Sequence, residues 1–322
     1  MIVRSVFVME TERSPVGPQE LDALFGVLPK AEPLRAALAV SGGSDSSALA
    51  LLFGRWLARA GRSARDFWVL TVDHGLRPES RAEAEAVAEF VHRLGFRHAI
   101  LAWNGPKPAA GIQEAAREAR YRLMAEHMGR TGLHVLVTAH TADDQAETLL
   151  MRLARGSGLD GLAAMSPLTP LSVPRARGEA PILLARPLLG IAKTRLRATL
   201  DEAGVTWIED PSNAAPAFER TRLRAAAGTL NGLGLTAGSI GLSARRLQRA
   251  RAALDYTVAE FCMPDAGRYS VHACGFITVD ATSLRRLPAE LALRVLLKGI
   301  VAAGGTGEPV PLAKAESLAE AV

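Results

Sequence analysis

Residues 37–53 read ALAVSGGSDSSALALLF, which is a short apolar strand, a turn with two glycines and a helix that begins with hydroxyl side chains. In that order, backbone N–H groups and the positive end of the helix dipole point at one place, where an anion can bind. Gly42 and Gly43 permit positive φ and close approach of the anion, and the hydroxyls of Ser44 and Ser46 can donate to it. The segment therefore predicts a phosphate-binding loop.

Asp45 lies within this loop, where its charge would repel bound phosphates unless a cation lay between them. Mg²⁺ is the expected cation, because hard oxygen ligands and phosphate form its usual site. The simpler alternative is a tight strand-to-helix turn in which serine and aspartate cap the helix, but a cap needs one such residue rather than the whole SGGSDS set. We therefore expect Asp45 to hold Mg²⁺ beside a nucleotide.

Strand-like segments alternate with helical segments through the first half of the chain, which predicts an α/β fold with a doubly wound parallel sheet. The predicted strands lie at 38–40, 67–72, 98–103 and 134–138, and the predicted helices at 46–60, 80–94, 112–128 and 142–155. In such a sheet, ligands bind beyond the carboxyl ends of the strands. The site is therefore expected at the loops that begin at Ser41, Asp73 and Ala139.

The composition changes near residue 215, after a segment rich in proline, asparagine and serine. Such a segment is typical of a linker. We therefore predict an α/β nucleotide-binding domain over residues 1–214 and a smaller, mainly helical substrate-binding domain over residues 215–322. The final residues stop inside a helical pattern, which predicts a second domain truncated at its C-terminus.

A helix that begins HTADDQAET, from His140, follows the fourth predicted strand directly. Asp143, Asp144 and Glu147 are spaced so that their carboxylates lie on adjoining faces of the first turns. Capping by Thr141 and Asp144 explains part of the pattern, but it leaves His140 and Glu147 unexplained. Such a cluster can hold Mg²⁺, attract an ammonium group or take a proton from an attacking amine, and the residues leave all three roles open.

The formal net charge is +5, and most of the 38 basic residues are arginines. This composition favours a polyanionic partner, because arginine pairs with phosphate through two hydrogen bonds. No apolar run reaches the roughly 18 residues that a membrane helix needs. The N-terminus also lacks a secretory signal, so a cytoplasmic protein without a membrane partner is expected.

One glycine motif and the two cysteines point away from other classes of site. Residues 156–161 match GxGxxG, but they follow a helix rather than a strand, so we interpret them as a helix end and a loop. Cys262 and Cys274 lack the spacing of a zinc site or a disulfide framework. The sequence contains no GxxxxGK[ST] motif, which excludes a P-loop NTPase.

The SGGSDS loop resembles the PP-loop of the N-type ATP pyrophosphatases, which split ATP between its α and β phosphates. Further segments resemble, in order, those of the bacterial tRNA(Ile)-lysidine synthases. These segments are VDHGLR (72–77), REARYR (117–122), AHTADDQAET (139–148), RGSGLDGL (155–162), RPLL (186–189) and EDPSN (209–213). The resemblance covers residues 33 to 226, and a threonine stands at position 221 where that family usually has asparagine.

This resemblance implies three substrates: ATP, L-lysine and a tRNA(Ile) with the anticodon CAU. The C2 oxygen of the wobble cytidine attacks the α-phosphate and releases pyrophosphate, and the lysine ε-amine then attacks C2 and displaces AMP. Mg²⁺ and arginine are the expected stabilisers of the charge that gathers on the α-phosphate. The sequence leaves the oligomeric state open, with a homodimer among the alternatives.

The residues and the resemblance together predict a set of site residues. The predicted catalytic residues are Asp45, Asp143, Asp144, Glu147 and Arg220. The predicted ATP-binding residues are Ser41, Gly42, Gly43, Ser44, Asp45, Ser46, His74 and His140, with Asp45 as the Mg²⁺ ligand. The predicted tRNA-binding residues are Arg117, Arg122, Arg224, Arg245 and Arg249, for which a solvated helix face is the competing explanation.

Two other classes of function remain as alternatives at this point. One is another PP-loop enzyme, a tRNA thiolase or an amidating synthetase; thiolases generally need cysteines near the nucleotide, and amidating enzymes usually carry a glutaminase domain. The other is a non-catalytic nucleotide- or RNA-binding module, which would leave the carboxylates after His140 unexplained. Pyrophosphate release that requires both tRNA and lysine would discriminate among them.

Overall fold

A computed structural model describes residues 13–108, 110–173, 180–209, 219–264, 267–304 and 310–321. The chain divides into two compact units, of which the first comprises residues 1–151 and 165–241 and the second residues 152–164 and 242–322. The predicted domain boundary at residues 214 and 215 falls outside the described residues and stays a prediction.

The first unit contains a six-stranded sheet. Its strands are β1 (Ala36–Ala39), β2 (Trp68–Asp73), β3 (Arg97–Ala102), β4 (Val135–Val137), β5 (Leu168–Pro170) and β6 (Leu183–Ala185). Their order across the sheet is β3-β2-β1-β4-β6-β5, and every neighbouring pair is parallel except β5 with β6. The predicted doubly wound α/β fold is confirmed, and each of the four predicted strands is present.

The helices agree closely with the pattern of the sequence. They are α1 (Leu21–Phe25), α2 (Ser44–Arg59), α3 (Ser80–Arg93), α4 (Ile112–Thr131), α5 (Ala142–Ala154), α6 (Leu159–Leu162), α7 (Lys193–Glu202), α8 (Glu219–Gly232), α9 (Ala237–Phe261), α10 (Ala281–Arg285), α11 (Ala289–Gly304) and α12 (Leu312–Ala321). Among the described residues, none of these helices combines the length and the apolar character that crossing a membrane requires.

Two apolar clusters pack on opposite faces of the sheet. Residues of β1 alternate between them, because successive side chains of a strand point to opposite faces: Leu38 joins one cluster and Ala37 the other. The cluster that contains Leu38 also holds the buried faces of α1, α2, α3 and α7, and the cluster that contains Ala37 holds that of α4. With helices on both faces of the sheet, a ligand can approach it at the ends of the strands.

The strand order places a switch point between β1 and β4. From β1 the chain first moves outward to β2 and β3 and then returns to form β4 on the other side of β1. A crevice opens at such a point, beyond the carboxyl ends of the two strands, because their connections leave in opposite directions. The loop after β1 carries SGGSDS and the loop after β4 carries HTADDQAET, so both motifs lie at this crevice.

The second unit contains helices and one small sheet. β7 (Tyr269–Val271) and β8 (Ile277–Val279) form an antiparallel pair that the sequence analysis did not predict. Gly156, at the end of α5, has a φ of +67°, as expected for a helix end, but the predicted loop after it contains the short helix α6. Arg294 is 9% exposed and donates to Asp160, Asp255 and Glu290 at 2.7–2.8 Å.

Candidate active site

The phosphate loop is closed by contacts of its first glycine. Gly42 has a φ of +89°, and a Cβ atom there would lie 2.7 Å from Cδ1 of Ile208. The carbonyl oxygen of Gly42 accepts a hydrogen bond from the Ile208 amide at 2.9 Å. Gly43 has a φ of −68°, so of the two glycines only Gly42 uses the conformation that side chains disfavour.

The start of α2 has no side-chain cap. Gly43 occupies the N-cap position, and it has no side chain that could accept from the first turn. The alternative in which serine or aspartate caps this helix is therefore wrong. The Ser46 hydroxyl instead accepts from the Ser41 amide at 3.2 Å and donates to the Gly43 carbonyl at 3.0 Å. The hydroxyls shape the loop, and the first-turn N–H groups keep their capacity to bind an anion.

Asp45 forms an ion pair across the crevice. Its Oδ2 lies 2.9 Å from Nζ of Lys193, and its Oδ1 accepts from the Ser44 hydroxyl at 3.3 Å. Burial raises the pKa of Asp45 above its ordinary value; the charge of Lys193 opposes this effect, and the nearby charge of Asp144 adds to it. The sequence analysis did not include Lys193 among the site residues and so missed this contact.

The donor set around Asp45 fits Mg²⁺ that is shared with a nucleotide. Mg²⁺ is usually bound through one or two carboxylates together with substrate phosphates, rather than by an all-protein cage. Asp45 offers one carboxylate beside the phosphate loop, and Asp144 is close enough to raise its pKa. The described residues contain no group of three or more histidines, cysteines or acids that could hold a metal without such phosphates.

Thr141 and Asp144 form the capping box that the sequence predicted at the start of α5. The Asp144 carboxylate accepts from the Thr141 amide and hydroxyl, each at 2.8 Å, and the Asp144 amide donates to the Thr141 hydroxyl at 3.3 Å. Burial pushes the pKa of Asp144 upward, but these hydrogen bonds outweigh it and hold the pKa below its ordinary value. Asp144 is therefore ionised, with one oxygen committed to the cap.

Glu147 is buried and pairs with two arginines of α8. Its carboxylate accepts from Nε and Nη2 of Arg224 at 2.6 and 3.2 Å, and Nε of Arg220 lies 4.0 Å away. The hydrogen bonds to Glu147 raise the pKa of Arg224. The sequence predicted Glu147 and Arg220 as catalytic and Arg224 as tRNA-binding, and the structure joins the three in one cluster.

The two histidines predicted to bind ATP are both neutral at pH 7. Burial lowers the pKa of His140 to about 4, and its Nδ1 lies 2.9 Å from the Thr138 hydroxyl. Burial also lowers the pKa of His74 to about 4, and its ring packs edge-on against Trp103. Nδ1 of His74 is buried and has no hydrogen-bond partner among the described residues, so it can contact a ligand.

The predicted tRNA-binding arginines do not form one group. The charge of Arg117 on α4 lowers the pKa of His140, which places this arginine near the crevice. Arg122 instead pairs with Glu126 one turn along the exposed side of the same helix, at 3.3 Å. Arg245 and Arg249 are exposed on α9 in the second unit.

Two further arginines near the crevice were missed by the sequence analysis. Arg186 follows β6 and donates to the Ser166 carbonyl, and its Nε is buried without a hydrogen-bond partner among the described residues. Arg120 lies close enough to His74 for its charge to lower the pKa of that ring. The segments ARYR and RPLL contain these two arginines. Nothing in either segment shows which arginine faces the crevice.

The PP-loop domain family matches residues 19–229 of the chain. A tRNA(Ile)-lysidine synthase of Bradyrhizobium sp. is 47% identical over 95% of this chain and 84% of its own length. The enzyme of the same name from Rhodopseudomonas palustris is 44% identical over 97% of this chain and 86% of its own length. Among solved structures, a U34-tRNA thiolase of Methanococcus maripaludis is similar with a TM-score of 0.56 and 16% identity, over 71% of this chain and 78% of that one. The last likeness shows the fold alone.

Proposed function

The chain belongs to the tRNA(Ile)-lysidine synthase family, and we propose that its phosphate loop and the carboxylates after β4 carry out the two steps of that family's reaction. The reaction is the ATP-dependent ligation of lysine to C2 of a cytidine in tRNA(Ile), which forms a C–N bond. The observation that carries the assignment of residues is the position of both motifs at one switch point, in one unit of the fold.

In the first step, the C2 oxygen of the wobble cytidine of a CAU anticodon attacks the α-phosphorus of ATP. The bond from the α-phosphorus to the bridging oxygen breaks, and pyrophosphate leaves. The amides at the start of α2, with Ser41, Gly42, Gly43, Ser44 and Ser46 around them, bind the phosphates. Asp45 is the residue that would hold Mg²⁺, which supplies positive charge against the phosphate oxygens.

In the second step, the ε-amine of L-lysine attacks C2 of the adenylated cytidine, and AMP leaves as the bond from C2 to the adenylated oxygen breaks. The proton that the amine loses passes to a carboxylate of the cluster after β4. Asp144 supplies negative charge at the crevice that attracts the lysine ammonium group. Arg220 and Arg224 neutralise Glu147 before substrates arrive, and their guanidinium groups can then face the α-phosphate as its charge develops. His140 is uncharged and can contact the nucleotide without adding charge.

The proposed substrates are ATP, L-lysine and tRNA(Ile). All three are found in the cytoplasm, where we propose that the protein acts. Arg117, Arg122, Arg245 and Arg249 are proposed to contact tRNA phosphates, because exposed arginines gain affinity by releasing counterions. Neither step of the reaction requires a second copy of the chain, so a homodimer is not part of the proposal.

The test is incorporation of labelled lysine into defined tRNA. The protein, ATP and Mg²⁺ are incubated with a tRNA(Ile) transcript that carries CAU or UAU. Uracil also has a C2 oxygen, so discrimination has to come from the 4-amino group of cytosine, and a site built for a buried donor rejects a carbonyl strongly. We expect label in the CAU transcript only. Equal labelling of both transcripts, or none in either, would contradict the proposed function.

A further inference from the structure

Two segments from different parts of the chain are joined at the start of α7. The residue at its N-cap position is Ala192, which has no side-chain acceptor. The Asp143 carboxylate takes that role and accepts from the Lys193 amide at 2.8 Å. One residue before Asp143, the Ala142 amide donates to the Ile191 carbonyl at 2.9 Å. The first turns of α5 and α7 therefore hold each other in register.

The rest of α7 is fixed to the body of the first unit. Leu196 and Leu200 are fully buried in the cluster that also contains α2. Arg195 donates to both carboxylate oxygens of Glu20 at 2.7 and 2.9 Å, and the Thr199 hydroxyl accepts from the Val16 amide at 2.9 Å. The backbone of Lys193 is thus held on both sides, and only its side chain can move.

From this fixed backbone, the Lys193 ammonium group reaches Asp45 in the phosphate loop. The two side chains are 32% and 19% exposed, so the pair faces the crevice rather than the core. Asp45 is also the proposed ligand of a divalent cation, and that cation and Lys193 compete for the same carboxylate. When the cation binds with a nucleotide, the Lys193 ammonium group can turn to a phosphate group of that nucleotide.

We propose that Lys193 is a phosphate-binding residue of the adenylation step and that Asp143 is a positioning residue that holds Lys193 in place. The inference rests on the proposed function, because it assigns an additional contact to the ATP of that reaction. Asp143, predicted above as catalytic, then acts through the Lys193 amide. A lysine suits the exchange, since its ammonium group is a compact charge on a flexible stem that can pass from carboxylate to phosphate.

The competing explanation is an ion pair that only stabilises the packing of α2 against α7. The two explanations differ once ATP binds. In either case Lys193→Met gives Asp45 a higher affinity for divalent cations, because a competing positive charge is lost. If Lys193 binds a phosphate group, the same change also weakens ATP binding and slows pyrophosphate release, whereas a purely structural pair leaves both unchanged and only lowers stability. The matched control is Arg197→Met on the same helix, whose arginine lies 3.9 Å from the exposed Glu209.

The experiment measures three quantities for each variant of the full chain. Mn²⁺ binding to the free protein is followed by electron paramagnetic resonance, ATP binding by calorimetry, and pyrophosphate release with tRNA(Ile) and lysine present. For Lys193→Met we expect Mn²⁺ to bind at least threefold more tightly, ATP at least threefold more weakly, and kcat to fall at least tenfold. Arg197→Met should change none of these, and the melting temperatures should stay close.

Asp143 is tested by a pair of variants. Asp143→Asn keeps an oxygen that can accept from the Lys193 amide, so it should retain most of the rate and the ATP affinity. Asp143→Ala should lose rate and ATP affinity in the direction of Lys193→Met. Unchanged ATP affinity together with an unchanged rate in Lys193→Met would overturn the inference. If the wild-type protein releases no pyrophosphate, the proposed function fails instead, and the binding of ATP still judges Lys193.

Discussion

Arg224 on α8 holds both carboxylate oxygens of Glu147 on α5, with its Nε at 2.6 Å and its Nη2 at 3.2 Å. The carboxylate is 11% exposed, whereas the arginine side chain is 39% exposed, so the acid depends on this partner more than the arginine does. Removing the arginine would leave a largely buried charge without its hydrogen bonds, which is the costly side of such a pair.

The coupling between these residues can be measured by a double-mutant cycle of Glu147→Gln and Arg224→Met. We expect a coupling energy of about 1–2 kcal/mol in urea unfolding, because the pair is close, has two hydrogen bonds and is shielded from water on the acid side. Arg220→Met is the matched comparison: its Nε is 4.0 Å from Glu147, and it should couple by less than about 0.5 kcal/mol. Equal coupling for both arginines would contradict the geometry.

Asp144 has two roles that substitutions can separate. Thr141→Ala should lower the free energy of unfolding by about 1 kcal/mol, since it removes the hydroxyl of the capping box. Asp144→Asn keeps an acceptor for the Thr141 amide, so most of the stability should remain while pyrophosphate release falls at least tenfold. Thr141→Ser retains the cap and serves as the control. An active Asp144→Asn variant would restrict this residue to capping.

Asp45→Ala should abolish pyrophosphate release and leave the fold in place. The side chain faces the crevice, and its partners there are Lys193 and Ser44 rather than core residues. The measurement is Mg²⁺-dependent pyrophosphate release together with the melting temperature. Glu202→Ala, which removes an exposed acid of α7 with a long 3.9 Å contact to Arg55, is expected to remain active. If Asp45→Ala releases pyrophosphate at the wild-type rate, Asp45 has no part in the reaction.

The sequence predicts the parts of this fold that carry a local signal. The buried strands β1, β2 and β4 read as continuous apolar runs, and the neighbouring helices have the length and periodicity of their type. The phosphate loop and the capping box are each contained in a few consecutive residues. Elements with such signals agree with the structure to within a few residues.

The features that were missed depend on contacts between distant segments. β5 and β6 have three residues each and lie among prolines, so no periodicity can develop, and their pairing partner decides their structure. The ion pair of Lys193 with Asp45 joins a helix start to a loop far away in the sequence, and the cap that Asp143 gives to α7 is equally remote. No local pattern in the sequence predicts either contact.

Arg249 should contribute to tRNA affinity through phosphate contacts. Arg249 is exposed on α9. Loss of one phosphate contact is expected to reduce, by about one, the slope of the logarithm of the tRNA binding constant against the logarithm of the salt concentration. We therefore expect Arg249→Gln to weaken tRNA binding and flatten its dependence on salt, with ATP affinity unchanged. Arg81→Gln is the control, because Arg81 is an exposed arginine already paired with Glu85 at 2.7 Å. A slope equal to that of the wild-type protein would support the solvated-face explanation.

The free energy of unfolding should begin to fall near pH 6.5 as the pH is lowered, before the carboxylates titrate. Burial lowers the pKa of His74, His98 and His140 to about 4, so these rings are neutral in the folded protein at pH 5. In the unfolded chain their pKa is about 6.5, so the unfolded state binds more protons between pH 6.5 and pH 4, and stability falls as the pH falls through that window. Each ring should contribute about 1 kcal/mol to the loss, after allowance for partial exposure.

His98 is the ring to test, because it lies outside the proposed site and contacts the Thr71 hydroxyl at 2.9 Å. His98→Gln can still hydrogen-bond with Thr71 but cannot take up a proton. Urea unfolding is measured at pH 7.5 and at pH 5.0. Between these two pH values, the free energy of unfolding should fall less in this variant than in the wild-type protein. Leu153→Gln is the control, because it introduces the same side chain at an exposed position of α5 and removes no titratable group. The same loss in His98→Gln and wild type would mean that His98 is already protonated in the folded state at pH 5.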